Sequence, residues 1–142
     1  MAALAPVPVD VKKLTSGVTT NSGTMEASTS ATQGELIIQN ANGTYQLAIN
    51  TSISNADVSG SGGIVLSPAA AGKTVDYVSS IGCEIDLGVT VTANEWYCVG
   101  SVAGSIVPMG DLASGQAVQY VGYGNKDQKL IWYPVKANET IA

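Results

Sequence analysis

Nowhere in this chain do apolar side chains recur at the helical period over ten or more residues. Short runs instead alternate apolar and polar positions, the period of a strand with one buried face. In "CEIDLGVTVT" (83–92), Ile85, Leu87, Val89 and Val91 fall on one face, and Glu84, Asp86, Gly88 and Thr90 on the other. "GIVLSP" (63–68), "KTVDYVSS" (73–80), "EWYCVG" (95–100), "SIVP" (105–108), "QAVQYVGYG" (116–124) and "KLIWYPV" (129–135) are further strand candidates. Between 35 and 50, Asn42-Gly43 sits between two β-prone runs. That pair predicts a hairpin whose two central residues both take positive φ. Short strands at regular spacing with polar turns predict an all-β fold, a small antiparallel β-barrel or sandwich.

The chain has 142 residues, enough for one ordinary domain with a tail. The β domain is expected over 35–142, with its densest part over 63–135. Residues 1–34 read as an extended, flexible N-terminal arm. Pro6 and Pro8 fix φ there, and Val7, Val9 and Val11 alternate between them and beyond, as candidate partner contacts. The stretch 15–34 is nearly all small and polar, with too little apolar surface to order itself alone. It predicts a linker in the isolated chain, or a segment ordered against a partner.

Function is bounded mainly by what is missing. The chain contains no His, no Arg and no Phe. The commonest general acid/base and metal ligand is therefore absent, as is the bidentate anion clamp. Six Lys stand against eleven acidic residues, a net charge of −5, which argues against binding nucleic acid or an anionic membrane. No stretch approaches the roughly 18 apolar residues of a membrane helix. The first residues lack the basic start and unbroken apolar run of a secretory signal, so synthesis in the cytoplasm is expected.

Each candidate site meets an ordinary alternative. Cys98 has no His to activate it and shares a strand face with Trp96, which points to a half-buried packing role. If the strands flanking 92–94 formed a simple hairpin, Cys98 would lie opposite residue 88, too far from Cys83 for a disulfide. "GSVAGS" (100–105) has neither the Lys nor the following helix of a phosphate-binding loop, and reads as a hairpin turn. Glu84 and Asp86 lie two apart on one strand face, an acidic edge rather than a catalytic pair. No catalytic residue, cofactor or metal ligand is assigned. The positive signal is aromatic. Trp96/Tyr97 and Trp132/Tyr133 are neighbours on strands, so one of each pair enters the core and the other faces outward. All four are candidate partner contacts, because an outward aromatic on a weakly charged surface marks an interface.

The phrases "GGIVLSPAAAGKT", "DLGVTVTANEWYCVGSVAGSIVPMGDLASGQAVQYVGYG" and "KLIWYPVKA" resemble tailed-bacteriophage head decoration (cement) and head fibre proteins. The matching positions are Glu95, Tyr97, Gly104, Ile106, Pro108, Asp111, Leu112, Gly115 and Gly122, as determinants of the fold; the N-terminal 60 residues do not share them. The resemblance implies a non-enzymatic virion protein, made in the host cytoplasm. It would be a homotrimer on the outer surface of a phage head, binding and stabilising the major capsid protein. A head or tail fibre or adaptor module with a receptor- or glycan-binding role is the alternative it implies.

Overall fold

Glycine or proline closes four of the strands, and local caps hold what little helix there is. A computed structural model describes residues 3–142; residues 1 and 2 of the expected arm lie outside that range. In chain order the elements are β1 (Lys12–Lys13), β2 (Asn21–Thr24), β3 (Leu36–Gln39), β4 (Tyr45–Leu47), α1 (Ile53–Ala56), α2 (Val58–Ser61), β5 (Gly63–Ser67), β6 (Thr74–Val78), β7 (Glu84–Asp86), β8 (Trp96–Val99), β9 (Ile106–Pro108), β10 (Ala117–Gly124) and β11 (Leu130–Thr140). They form an all-β sandwich. One sheet has six strands in the order β1-β7-β11-β10-β8-β9, the other five in the order β2-β6-β5-β3-β4. Every strand pairing is antiparallel.

The 36–47 hairpin forms, but with a different turn. Only Gly43 takes positive φ (+84°). Asn40 spans the loop: its N–H donates to Thr44 O (2.8 Å), and its side-chain Oδ1 accepts from Asn42 N–H (3.0 Å). An asparagine that bonds its own backbone two residues on removes the need for a second left-handed residue.

The polar stretch after β4 is also more ordered than its composition predicts. Ser52 Oγ accepts from Asn55 N–H (3.2 Å) and Asp57 Oδ1 from Ser59 N–H (3.2 Å), capping two single-turn helices. These turns bury Ala56 and Val58 in the core. Where the sequence suggested a linker over 15–34, the backbone supplies an edge strand. Asn21 to Thr24 pair with Tyr77 to Thr74, and Met25 and Ala31 are buried. Backbone pairing, which composition does not report, is what orders this segment.

The inner faces of both sheets share one core, with Leu36, Ile38, Ile64 and Val78 opposite Ile85, Tyr97, Leu130 and Trp132. A second, smaller cluster covers the far face of the five-stranded sheet: Met25, Ala31 and Ala69 from its own connections close over Ile37, Val65, Val75 and the Tyr45–Tyr77 pair. The two tyrosine rings lie 5.1 Å apart and share a hydroxyl hydrogen bond. Among the described residues, no such second cluster covers the far face of the six-stranded sheet.

The two sheets are joined by backbone. Leu36 N–H donates to Gly104 O (3.0 Å), Gly104 N–H to Ala48 O (2.7 Å), and Ala48 N–H to Leu36 O (2.9 Å). The "GSVAGS" run is thus the β8–β9 turn, as its sequence predicts, and also the hook onto the other sheet. Gly104 sits at φ +83°, and a Cβ there would meet Glu35 Oε2 at 2.9 Å. Gly104→Ala is therefore expected to destabilise the fold by about 1–2 kcal/mol, read as a lower urea midpoint at unchanged m-value.

Candidate functional site

The six-stranded sheet turns one face inward and the other to solvent, and alternation along β8 decides which side chain goes where. Tyr97 and Val99 enter the core; Trp96 and Cys98 point outward. On β10 the outward residues are Tyr120 and Tyr123. Three positions apart, they would fall on opposite faces of a regular strand. A register shift between Tyr120 and Gly122 returns them to one face. Gly122 is needed there, because a Cβ would overlap the carbonyl oxygen of Ile131. Tyr133 and Val135 project outward from β11, and Met109 comes from the 3₁₀ turn after β9.

These side chains form one patch with Trp96 at its centre. Its ring lies 5.4 Å from Tyr120 (edge-on), 5.2 Å from Tyr123 and 6.4 Å from Tyr133 (edge-on). Such tilted pairs hold aromatic rings in fixed orientation beyond simple area burial. Trp96, Met109, Tyr120 and Val135 line an open depression of about 290 Å³. Trp96 (38%), Met109 (39%), Tyr133 (44%) and Val135 (40%) are large apolar residues left partly exposed. Cys98 is fully buried beneath the patch, and burial pushes its thiol pKa up to about 12. Cys83 and Cys98 are both free and buried. The Tyr120 phenol is also raised, first by burial and then by Cys98 and the carboxylate of Glu139.

Three of the seven predicted contact residues lie inside. Tyr97, Trp132 and Val11 all belong to the shared core. Tyr97 goes in because its hydroxyl finds a partner there, accepting from Thr92 N–H (2.9 Å). Trp96 and Tyr133 meet on the outer face. Val7 and Val9 are exposed but elsewhere: Val7 N–H donates to Leu87 O (3.0 Å), and Val9 lines a polar depression with Lys12, Asp86 and Lys129. Met109, Tyr120, Tyr123 and Val135 were not picked out from sequence as contacts. The signal for Tyr120 and Tyr123 was the glycine between them.

The hairpin expected across 92–94 does not form. β8 pairs with β10 and β9, while β7 pairs with β1 and β11, so long-range pairing overrides the short connection. Glu84 and Asp86 are loop anchors. Glu84 Oε2 accepts from Asn125 Nδ2 (2.6 Å); Asp86 Oδ1 accepts from Gly88 N–H (2.8 Å) and Oδ2 pairs with Lys129 (3.3 Å). Among the described residues no group of three or more His, Cys, Asp or Glu could hold a metal.

Fold and site together define an all-β sandwich with one uncovered aromatic face. Comparison of the chain with family models, curated proteins and solved structures gives no match.

Trp132→Ala is expected to cost about 3–5 kcal/mol of stability, and Trp96→Ala less than about 1.5 kcal/mol, by urea denaturation. An equal loss would mean that Trp96 is structural. Asp86 gives a pH signature. The Gly88 amide, then Lys129, hold its carboxyl below the usual range, so its stabilisation is present above that range and is lost as pH falls through the folded-state pKa. Asp86→Asn should flatten the fall of the unfolding midpoint between about pH 5 and 2.

Proposed function

We propose that this chain is a capsid decoration protein. In this reading it binds the major capsid protein on the outside of a phage head through the aromatic face of its six-stranded sheet. The observation that carries the reading is the uncovered patch around Trp96. Large aromatics clustered on an otherwise weakly charged surface are the usual anchors of a protein interface. A decoration protein needs a rigid module and a surface without a strong positive field that would capture DNA, and a net charge of −5 with no Arg suits that need. The sequence phrases described above support the same class, along with its trimeric assembly.

The patch also favours protein over sugar. A glycan platform sets polar groups around its stacking ring, whereas Met109 and Val135 border Trp96 here. The glycan-binding fibre reading therefore has less support than the decoration reading.

The test is co-sedimentation of the purified chain with undecorated phage heads, followed by electron cryomicroscopy. Saturating binding at hundreds of regularly placed copies is the expected result, as is at least a tenfold loss for Trp96→Ala with the fold intact. Binding at a single vertex, or none, would sink the decoration reading.

A further inference from the structure

The sulfur atoms of this chain belong to Met1, Met25, Cys83, Cys98 and Met109. Within the described residues solvent meets them very unequally. Met25 and Cys83 are each 1% exposed and Cys98 is 0%, whereas Met109 is 39% exposed. The fold sets this contrast. Met25 is sealed in the small cluster around Tyr45 and Tyr77. Met109 follows Pro108, which pairs with Tyr97 on β8, so the chain leaves β9 beside Trp96. Leu112 N–H then donates to Met109 O (3.3 Å), closing the 3₁₀ turn that holds the residue there. Its side chain lines the depression of about 290 Å³ with Trp96, Tyr120 and Val135.

A thioether packs as an apolar group, yet its sulfur reacts with peroxides without first losing a proton. An exposed methionine is attacked directly, while a buried one must wait for the fold to open. The sulfoxide that forms is polar and chiral in place of a flexible apolar side chain. Covering its oxygen with an apolar surface would strip that oxygen of hydrogen bonds to water.

We propose that Met109 is an oxidation site and that its sulfoxide switches off apolar contact at the aromatic face. The sulfur attacks the terminal oxygen of a hydroperoxide, so that an S–O bond forms as the O–O bond breaks. Sulfur gives up two electrons. The proton of the attacked oxygen passes to the leaving oxygen, which departs as water or an alcohol. The oxidation site stands on exposure and placement alone; its effect on binding rests on the reading of this face as a binding surface.

The experiment treats the full chain with hydrogen peroxide. Conversion is followed by peptide mapping and by NMR of the two tryptophan indoles, and samples are then added to undecorated phage heads. Met109 should be oxidised at least about tenfold faster than Met25, which reacts only on opening. The Trp96 indole should move in step with Met109 conversion while the buried Trp132 indole stays in place. Head binding should weaken by at least about tenfold and return after treatment with the two methionine sulfoxide reductases and a dithiol. Met109→Leu should lose the response: whatever its starting affinity, peroxide should leave that affinity unchanged. Oxidation of Met25 as fast as Met109 in the folded chain would overturn the inference. So would a Trp96 indole unmoved at full conversion, undiminished head binding by the Met109 sulfoxide, or the same peroxide-induced loss in Met109→Leu. If the untreated chain ignores heads, it is the decoration reading that fails, and the mapping and indole shift still decide the oxidation site.

Discussion

Three backbone hydrogen bonds that close on one another, among Leu36, Ala48 and Gly104, tie the two sheets together at one corner. Asn50 extends the tie from the same connection. Its N–H donates to Gly100 O (3.0 Å), its carbonyl accepts from Ala117 N–H (2.9 Å), and its side-chain amide donates to Val99 O (3.1 Å). One buried residue after β4 thus fixes the end of β8 and the start of β10. Those strands carry Trp96 and Tyr120, so the outward face is set by a corner formed from the other sheet. The arrangement depends on Gly104 at a left-handed φ and on Asn50, whose amide can serve a buried carbonyl. An apolar residue at 50 would leave Val99 O without that donor, and a buried carbonyl without its partner is costly.

What sequence can report about such a structure follows from distance along the chain. The all-β class was legible because alternation is local. So was the division of Trp96/Tyr97 and Trp132/Tyr133 between two faces. Which member of each pair goes inward was not, because that depends on partners far away. Tyr97 finds the Thr92 amide, and Trp132 joins the core shared by the two sheets. Strand order was hidden for the same reason. β7 bypasses β8 to pair with β11 and with β1 at the other end of the chain. The 15–34 segment reads as a linker because few of its side chains are apolar, yet its backbone pairs with β6. The glycine of "YVGY" carried more information than composition could: by allowing a bulge, it places Tyr120 and Tyr123 side by side.

The two sheets treat their outer faces differently. The five-stranded sheet spends its own connections on a second small core, with Met25, Ala31 and Ala69 covering Tyr45 and Tyr77. The six-stranded sheet leaves Trp96, Tyr133 and Val135 half exposed. Removing apolar surface from water is worth about 25 cal/mol per Å². An uncovered patch therefore forgoes stability that the other sheet gains. The rings are nonetheless held in place by edge-on packing and by the Gly122 bulge, so a partner would meet a rigid surface and lose little conformational entropy in ordering it.

An exposed β surface is also a hazard, and the strand edges show how it is contained. Strand edges with free N–H and C=O groups recruit other strands regardless of sequence. Here β1 is two residues long and both are lysine, β9 ends at Pro108 with Leu4 N–H donating to its Ile106 carbonyl, and Pro134 interrupts the donors of β11. Backbone pairing with a stray strand is thus discouraged at the sheet's two ends and along its longest strand. What the sheet leaves open is the side-chain surface of its outer face. The sheet's edges are thus closed to generic strand addition, while the aromatic rings of its face stay exposed and fixed in orientation.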